Sequence, residues 1–317
     1  MVAQQAQPAV VVPAPSRAPR RGRDGRAAAL YLAPAGILLA AMLAYPIYQL
    51  IVISFYDYGQ PQAAGVAPLV FLGLDNYLDL LSAVQFWTVL GKTVGFAAVC
   101  VVGSLVVGTG LAVLCSRVRA LPRMLLFLAA LGAWSTPAIA GSYVWLFLFD
   151  TDFGLVNEVL SGLGLPFEHH SWTFGTIGAF GLVAAEVIWC SFPFVMVTMY
   201  AGIKGIPEEV LEAAALDGAS MWRTTWRIVL PMVRPLLMIA TVQSIIWDFK
   251  VFTQIYVMTN GGGVAGRNLV LNVYAYQQAF AGQEYGLGSA IGVVMTLLLL
   301  SITGLYVRSQ RRSAAWL

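Results

Sequence analysis

Charge is what this chain has least of. Of its 317 residues only 10% are Asp, Glu, Lys or Arg, whereas 59% are hydrophobic. A water-soluble domain carries roughly a quarter charged residues, so most of this surface faces something other than water. The net charge of +3 is too small for a phosphate-gripping surface and argues against a nucleic-acid partner. Cysteine is nearly absent: Cys100, Cys115 and Cys190 all fall inside apolar runs. An odd, scattered set of thiols provides neither a disulfide framework nor metal-ligand spacing, so these residues read as packing groups. The two histidines, His169 and His170, stand together beside Glu168 with no further ligands nearby. They read as a solvated loop, and no metal or other cofactor is expected. No converging acid–base or nucleophile set is evident, so the chain is not read as an enzyme.

Long apolar runs are what the chain does have. Six lie near residues 28–54, 88–115, 124–149, 174–203, 232–257 and 287–307. Each reaches the roughly 20 residues that a helix needs to cross a bilayer. Backbone in lipid must satisfy its own hydrogen bonds, so runs of this length are helical. The fold class read from the sequence is therefore an all-α integral membrane protein with six transmembrane helices over residues 28–309. Residues 1–27, rich in Ala, Pro and Arg, read as a disordered basic tail, and 310–317 as a second tail. The first run follows four arginines but exceeds the 7–15 residues of a signal-peptide core, so it reads as a retained span.

Lys and Arg set the orientation. With the N-terminus placed in the cytoplasm, 15 of the 18 basic residues fall on that side. They include Arg17, Arg20, Arg21, Arg23 and Arg26, then Arg117, Arg119 and Arg123, and Lys204, Arg223, Arg227 and Arg234. The acids Asp57, Asp75, Asp79, Asp150, Asp152, Glu158 and Glu168 fall on the other side. An even number of spans puts both termini in the cytoplasm. The outer segments, near 55–87, 150–173 and 258–286, are too short to form an independent core.

Residues 204–231, KGIPEEVLEAAALDGASMWRTTWRIVLP, form the most structured polar segment. Pro207 suits a helix start, and Glu208 and Glu209 complement the dipole of its first turn. Glu208 and Glu212 share a face at i, i+4. Asp217-Gly218 ends the helix, because Gly adopts the left-handed conformation that closes one. Ser220 caps a second helix running to Leu230. A connector needs far fewer residues. Trp222 and Trp226 suit a pair of helices lying on headgroups, but three acids do not suit an anionic inner leaflet. A docking knob for a protein partner is the better reading.

This segment resembles the EAA loop of binding-protein-dependent ABC importer permeases. The match falls on Glu212, Ala213, Ala214, Asp217, Gly218, Ala219, Ile228, Leu230, Pro231 and Pro235; at Thr225 the family pattern has Phe. Phe71-Leu72-Gly73-Leu74-Asp75-Asn76-Tyr77 is similar to the FxGLxNY stretch after the first span. Tyr256-Val257-Met258-Thr259-Asn260-Gly261-Gly262 is similar to the YVLTxGG stretch after the fifth. Both stretches resemble the carbohydrate branch, on its MalF-like or UgpA-like side.

The resemblance implies a permease subunit in a bacterial cytoplasmic membrane, importing a sugar or oligosaccharide, or else a glycerophosphodiester. It also implies a separate ABC ATPase subunit dimer docked on the loop, with Glu212 pairing to a basic residue there and Gly218 setting the elbow. A second, MalG-like permease subunit and an extracytoplasmic substrate-binding protein complete the implied assembly, embedded in membrane lipid.

Ionisable groups at membrane depth face a pathway or a partner helix. Glu186 in the fourth run and Asp248 and Lys250 in the fifth are such groups. Asp248 and Lys250 point apart, and Glu186 is expected to meet Lys250. With Trp189, Phe194, Gln243 and Trp247 they make up the candidate translocation path; Ser191, Ser244 and Gln254 lie on the same runs. Gly288 and Gly292 read as helix packing. The run 261–268, GGGVAGRN, approaches a P-loop but has Arg267 and Asn268 where Lys and Ser/Thr are required, so energy from ATP would come from a partner. An ion-coupled carrier is the rival class; it predicts internal repeats with matched broken helices, and no convincing repeat is evident.

Overall fold

The computed structural model describes residues 24–314, with side chains for residues 30–309. The expected tails at residues 1–23 and 315–317 lie outside the described residues. The chain divides into two units, residues 1–49 and 50–317.

The first apolar run forms a helix from Asp24 to Leu39, a π turn over Ala40–Ala44 and a helix from Tyr45 to Ile53. Leu30–Ile53 is long and apolar enough to cross a bilayer; it is called span one. Its π turn has a physical cause in Pro46. Proline lacks an N–H, and its ring crowds the carbonyl four residues earlier, here Met42, so the helix widens at that point. The same arrangement recurs at Thr225–Val229, where the π turn is followed at the same offset by Pro231.

Three more helices are long and apolar enough to span without a break: Val84–Arg117 (span two), Thr176–Lys204 (span four) and Tyr285–Ser309 (span six). Span two, with 34 residues, is about 50 Å long at 1.5 Å per residue. That exceeds the roughly 30 Å hydrocarbon core, so its ends project beyond it. Spans two and four are held together by close backbone approach. A Cβ on Gly108 would sit 2.6 Å from Val195 Cβ and 2.8 Å from the Phe192 carbonyl, and one on Gly103 would meet Ile188. Helices in lipid gain little from burying apolar surface, and close packing over small residues is what holds them.

The other two spans, three (120–148) and five (234–258), depart from the straight helices expected. The run expected over 124–149 is two helices, Ala120–Ser135 and Ala138–Leu148, bent by 106°. The cause is local. Thr136 precedes Pro137, and a residue before proline is pushed out of the helical region; Thr136 has ψ 123°. The run expected over 232–257 is also interrupted. Met221–Met232 meets Arg234–Phe249 at a bend of 73°, where Val233 leaves helical geometry between Pro231 and Pro235. The helix stops again at Phe249, Lys250 takes φ −98° and ψ 11°, and a short helix resumes over Thr253–Met258.

The segments between spans are ordered. Strand β1, Tyr56–Asp57, pairs antiparallel with β2, Val70–Phe71. The FLGLDNY stretch then pins this hairpin, because the Asn76 amide donates to the carbonyls of Ser54 at 2.9 Å and Tyr56 at 3.1 Å. In 150–173, Asn157 ties the helix Leu155–Gly162 down: its amide donates to the His170 carbonyl at 2.8 Å and its oxygen accepts from Trp172 Nε1 at 2.7 Å. The segment 258–286 is more than the loop expected. It holds a helix, Leu271–Tyr276, extended by a π turn to Ala281. Leu271, Val273 and Tyr274 are buried. The Leu271 N–H donates to Thr93 Oγ1 of span two at 2.9 Å.

Two apolar clusters form the core. One gathers Phe86, Cys100, Val183, Val187, Ile255, Leu271 and Ile291. The other gathers Ala112, Cys115, Val195, Met196, Met199, Ile203, Val229 and Val233, at the end where residues 204–233 connect spans four and five.

Candidate functional site

Two regions carry the candidate residues. The first is the connection 204–233. Pro207 precedes the helix Glu208–Leu216, with Glu208 and Glu209 in its first turn. The helix closes through Gly218, at φ +70°. The Gly218 N–H donates to the Ala215 carbonyl and the Ala219 N–H to the Ala214 carbonyl, both at 3.0 Å. This paired closure uses the left-handed residue to satisfy the last carbonyls. Ser220 then caps the next helix, its Oγ accepting from the Arg223 N–H at 3.4 Å, and that helix runs on to Met232.

The burial pattern makes the connection a projection. Ala214, Ile206 and Val229 are buried, whereas Leu216 is 89% and Trp222 72% exposed. Glu212, Ala213, Asp217 and Gly218 are exposed, Ala219, Ile228 and Leu230 are half-buried, and Pro231 is exposed. Trp222 and Trp226 pair with ring centroids 5.3 Å apart. The result is a rigid elbow showing acids on its first helix and large apolar groups on its second. It holds no group arranged for bond-making chemistry.

The second region lies among spans three, four and five. Phe194 stands between two tryptophans, 6.4 Å from Trp134 and 5.1 Å from Trp247. Both tryptophans keep an open face, at 49% and 38% exposure. Next to this wall, Asp248 is buried, and its Oδ2 has no hydrogen-bond partner. Two of these groups lie next to helix breaks. Trp134 sits two residues before the break at Thr136, and Asp248 sits at the end of the Arg234–Phe249 helix.

Glu186 does not meet Lys250. It is fully buried, with Oε1 3.4 Å from the Ser142 hydroxyl and Oε2 without a partner. Gly141 makes room for it, since a Cβ there would stand 3.0 Å from Oε1. Glu186 and Ser191 are five residues apart, so they leave their helix roughly 140° apart. Glu186 therefore faces the second half of span three while Ser191 faces span five. Trp189 goes with Glu186 and packs 6.2 Å from Trp145. Gln243 is half-buried on span five. Lys250 is exposed and belongs to another wall, a cavity of about 780 Å³ lined also by Tyr58, Phe252, Tyr276 and Tyr285.

The structure thus brings together Phe194, Trp247 and Asp248 of the expected path, sets Glu186 and Trp189 on a second face, and places Lys250 on another cavity wall. Trp134 and Ser142 were not foreseen from the sequence. The signal for Trp134 was present in Trp134-Ser135-Thr136-Pro137, an aromatic just ahead of a helix break. Nothing local marked Ser142.

Comparison with known proteins agrees with this architecture. The family described as "Binding-protein-dependent transport system inner membrane component" matches residues 104–314. The diacetylchitobiose uptake system permease protein DasB of Streptomyces coelicolor is 38% identical, over 88% of this chain and 85% of its own. The trehalose/maltose transport system permease protein MalF of Thermococcus litoralis is 34% identical, over 76% and 80%. A bacterial ABC transporter involved in the import of the acidic polysaccharide alginate shares the fold, with a TM-score of 0.77 at 20% identity over 92% of this chain and 96% of that chain. A membrane-embedded helix set and a family match over more than half its length make this chain a member of the binding-protein-dependent transport permeases of the inner membrane.

Proposed function

We propose that this chain is one of two permease subunits of an ATP-driven importer for a sugar or oligosaccharide, coupled to a separate ATPase through residues 204–231. In this reading both termini and the elbow lie in the cytoplasm, as the placement of Lys and Arg favours. The observation that carries the coupling role is the elbow itself, an acidic helix closed by left-handed Gly218 and continuous in sequence with spans four and five. Glu212 pairs with a basic group of the ATPase, and Gly218 fixes the angle between the two helices. Closure of an ATPase dimer then shifts two permease subunits between inward- and outward-facing states, which is coupling between two global states through a rigid element. The solute reaches this chain from an extracytoplasmic binding protein.

Sugar as the substrate class draws on the relatives, which are permeases for diacetylchitobiose and for trehalose/maltose. It draws also on the wall of Trp134, Phe194 and Trp247 beside the buried Asp248. Binding sites for small polar solutes combine aromatic faces with a few fixed polar groups.

The test is uptake of a labelled di- and trisaccharide panel by cells with and without this subunit, and by cells carrying Glu212→Lys or Gly218→Pro. Proline fixes φ near about −65° and is incompatible with a left-handed position. Both variants are expected to insert normally and to lose ATP-dependent uptake. Normal uptake in both would defeat the coupling role. Uptake that persists after removal of every ATPase subunit would instead identify an ion-coupled carrier.

A further inference from the structure

The helix Met221–Met232 is bordered by two cavities. A cavity of about 390 Å³ lies on one, lined by Ser116, Arg117, Lys204, Glu208, Met221 and Thr224 among others. A groove of about 900 Å³ lies on the other, between Val106, Gly110 and Val113 of span two and Trp226, Leu230 and Leu237. Arg117, the last residue of span two, lines both. Its Nη2 donates to Thr225 Oγ1 at 2.6 Å and lies 3.5 Å from the Met221 carbonyl. The Thr225 hydroxyl in turn donates to the Met221 carbonyl at 2.9 Å. A hydroxyl serves both bonds at once, as acceptor and as donor. A valine of the same shape serves neither, and phenylalanine, the residue of the motif at this position, likewise serves neither.

We propose that Arg117 and Thr225 form a strut that makes the docking elbow move with span two; the inference rests on the coupling role of the elbow. The geometry gives the strut a specific place. Span two is locked to span four at Gly108, and span four leads directly into the first helix of the elbow. The second helix is joined to span five across the 73° bend at Val233. The strut ties that second helix back to the span two–four pair across the gap between the two cavities. A push on the elbow then reaches spans two and four as well as span five. The bond is exposed, so it contributes little to stability. Its role is positioning, and Thr225 and Arg117 are positioning residues.

The experiment uses the full complex, with ATPase, both permeases and binding protein, in proteoliposomes, and reads sugar molecules moved per ATP hydrolysed. Loss of a coupling interaction of about 1 kcal/mol corresponds to about a fivefold effect, and that drop is expected for Thr225→Val and for Arg117→Met. Thr225→Ser restores the bridging hydroxyl and should retain the ratio. The double variant should be no worse than Arg117→Met alone, because both changes break one link. A ratio unchanged in Thr225→Val, or effects that multiply in the double variant, would overturn the strut. Glu212→Lys in the same assay separates the two claims. If it abolishes uptake while Thr225→Val changes nothing, the strut fails and the docking elbow stands. If Glu212→Lys leaves uptake intact, the docking reading fails.

Discussion

Spans two and four are unbroken helices locked together, whereas span three is bent by 106° and span five meets the helix before it at 73°. The contrast divides labour. The unbroken pair has glycine at its contact, with Gly103 and Gly108 letting the backbones close on Ile188, Phe192 and Val195. Its facing surfaces hold small and apolar side chains. The bent pair carries its aromatic and polar groups at or beside the breaks: Trp134 just before Thr136, Ser142 just after Pro137, and Asp248 where the Arg234–Phe249 helix ends. A broken helix turns side chains toward a common point and frees backbone groups there, which is why irregular backbone in membrane proteins gathers where it lines a cavity or is covered by protein.

The contrast breaks most severely at Gly108. Leucine there must displace Val195 and the Phe192 backbone, well beyond the about 1–3 kcal/mol of ordinary overpacking. The expected result is little monodisperse protein on size-exclusion chromatography in detergent. Gly110→Ala is the control on the same helix, since no atom lies within 4 Å of its added Cβ; its yield should equal that of the unmodified chain. Equal losses in both would remove the locked contact from the account.

Pro137→Ala addresses the bent side. Without proline, Thr136 is no longer barred from the helical region, and the aromatic wall shifts relative to Ser191 and Asp248. Displacement of a site group by about 1 Å costs up to about 100-fold, so uptake should fall about tenfold or more while yield is kept. Uptake equal to that of the unmodified chain would mean that packing, not proline, sets the bend. The smallest effect is expected at Ser142→Ala. The Ser142 hydroxyl donates to the Ala138 carbonyl at 2.9 Å and stands 3.4 Å from Glu186 Oε1, so removing it takes a polar neighbour from the buried carboxyl, at a cost of about 1 kcal/mol. A lowered melting temperature of the purified complex would report it, and an unchanged one would show that Glu186 relies on other groups.

The straight features were legible in the sequence and the bent ones were not, for a physical reason. A run of apolar residues, a Gly after a helix or a capping Ser acts through its immediate neighbours. The six runs and the Gly218 elbow could therefore be read from residue order. Pro137 stood in plain view, but its effect depends on whether surrounding helices re-satisfy the freed backbone, and residue order does not say. The helix Leu271–Ala281 was hidden because its burial depends on Thr93, 178 residues away in sequence. Charge alone pairs Glu186 with Lys250, whereas helix phase turns Glu186 toward Ser142 and Lys250 lies beyond the end of its helix. Thr225 was visible as a departure from the motif, but Arg117, the partner that explains it, lies 108 residues earlier.

The division of labour is tested most directly by the concentration dependence of ATP-driven sugar uptake by the reconstituted complex carrying Trp247→Ala. Loss of an aromatic stacking face from the wall should raise KM by about tenfold, equivalent to about 1.4 kcal/mol, with the complex still assembled. A KM equal to that of the unmodified complex would contradict the assignment of the sugar path to the wall of Trp134, Phe194 and Trp247.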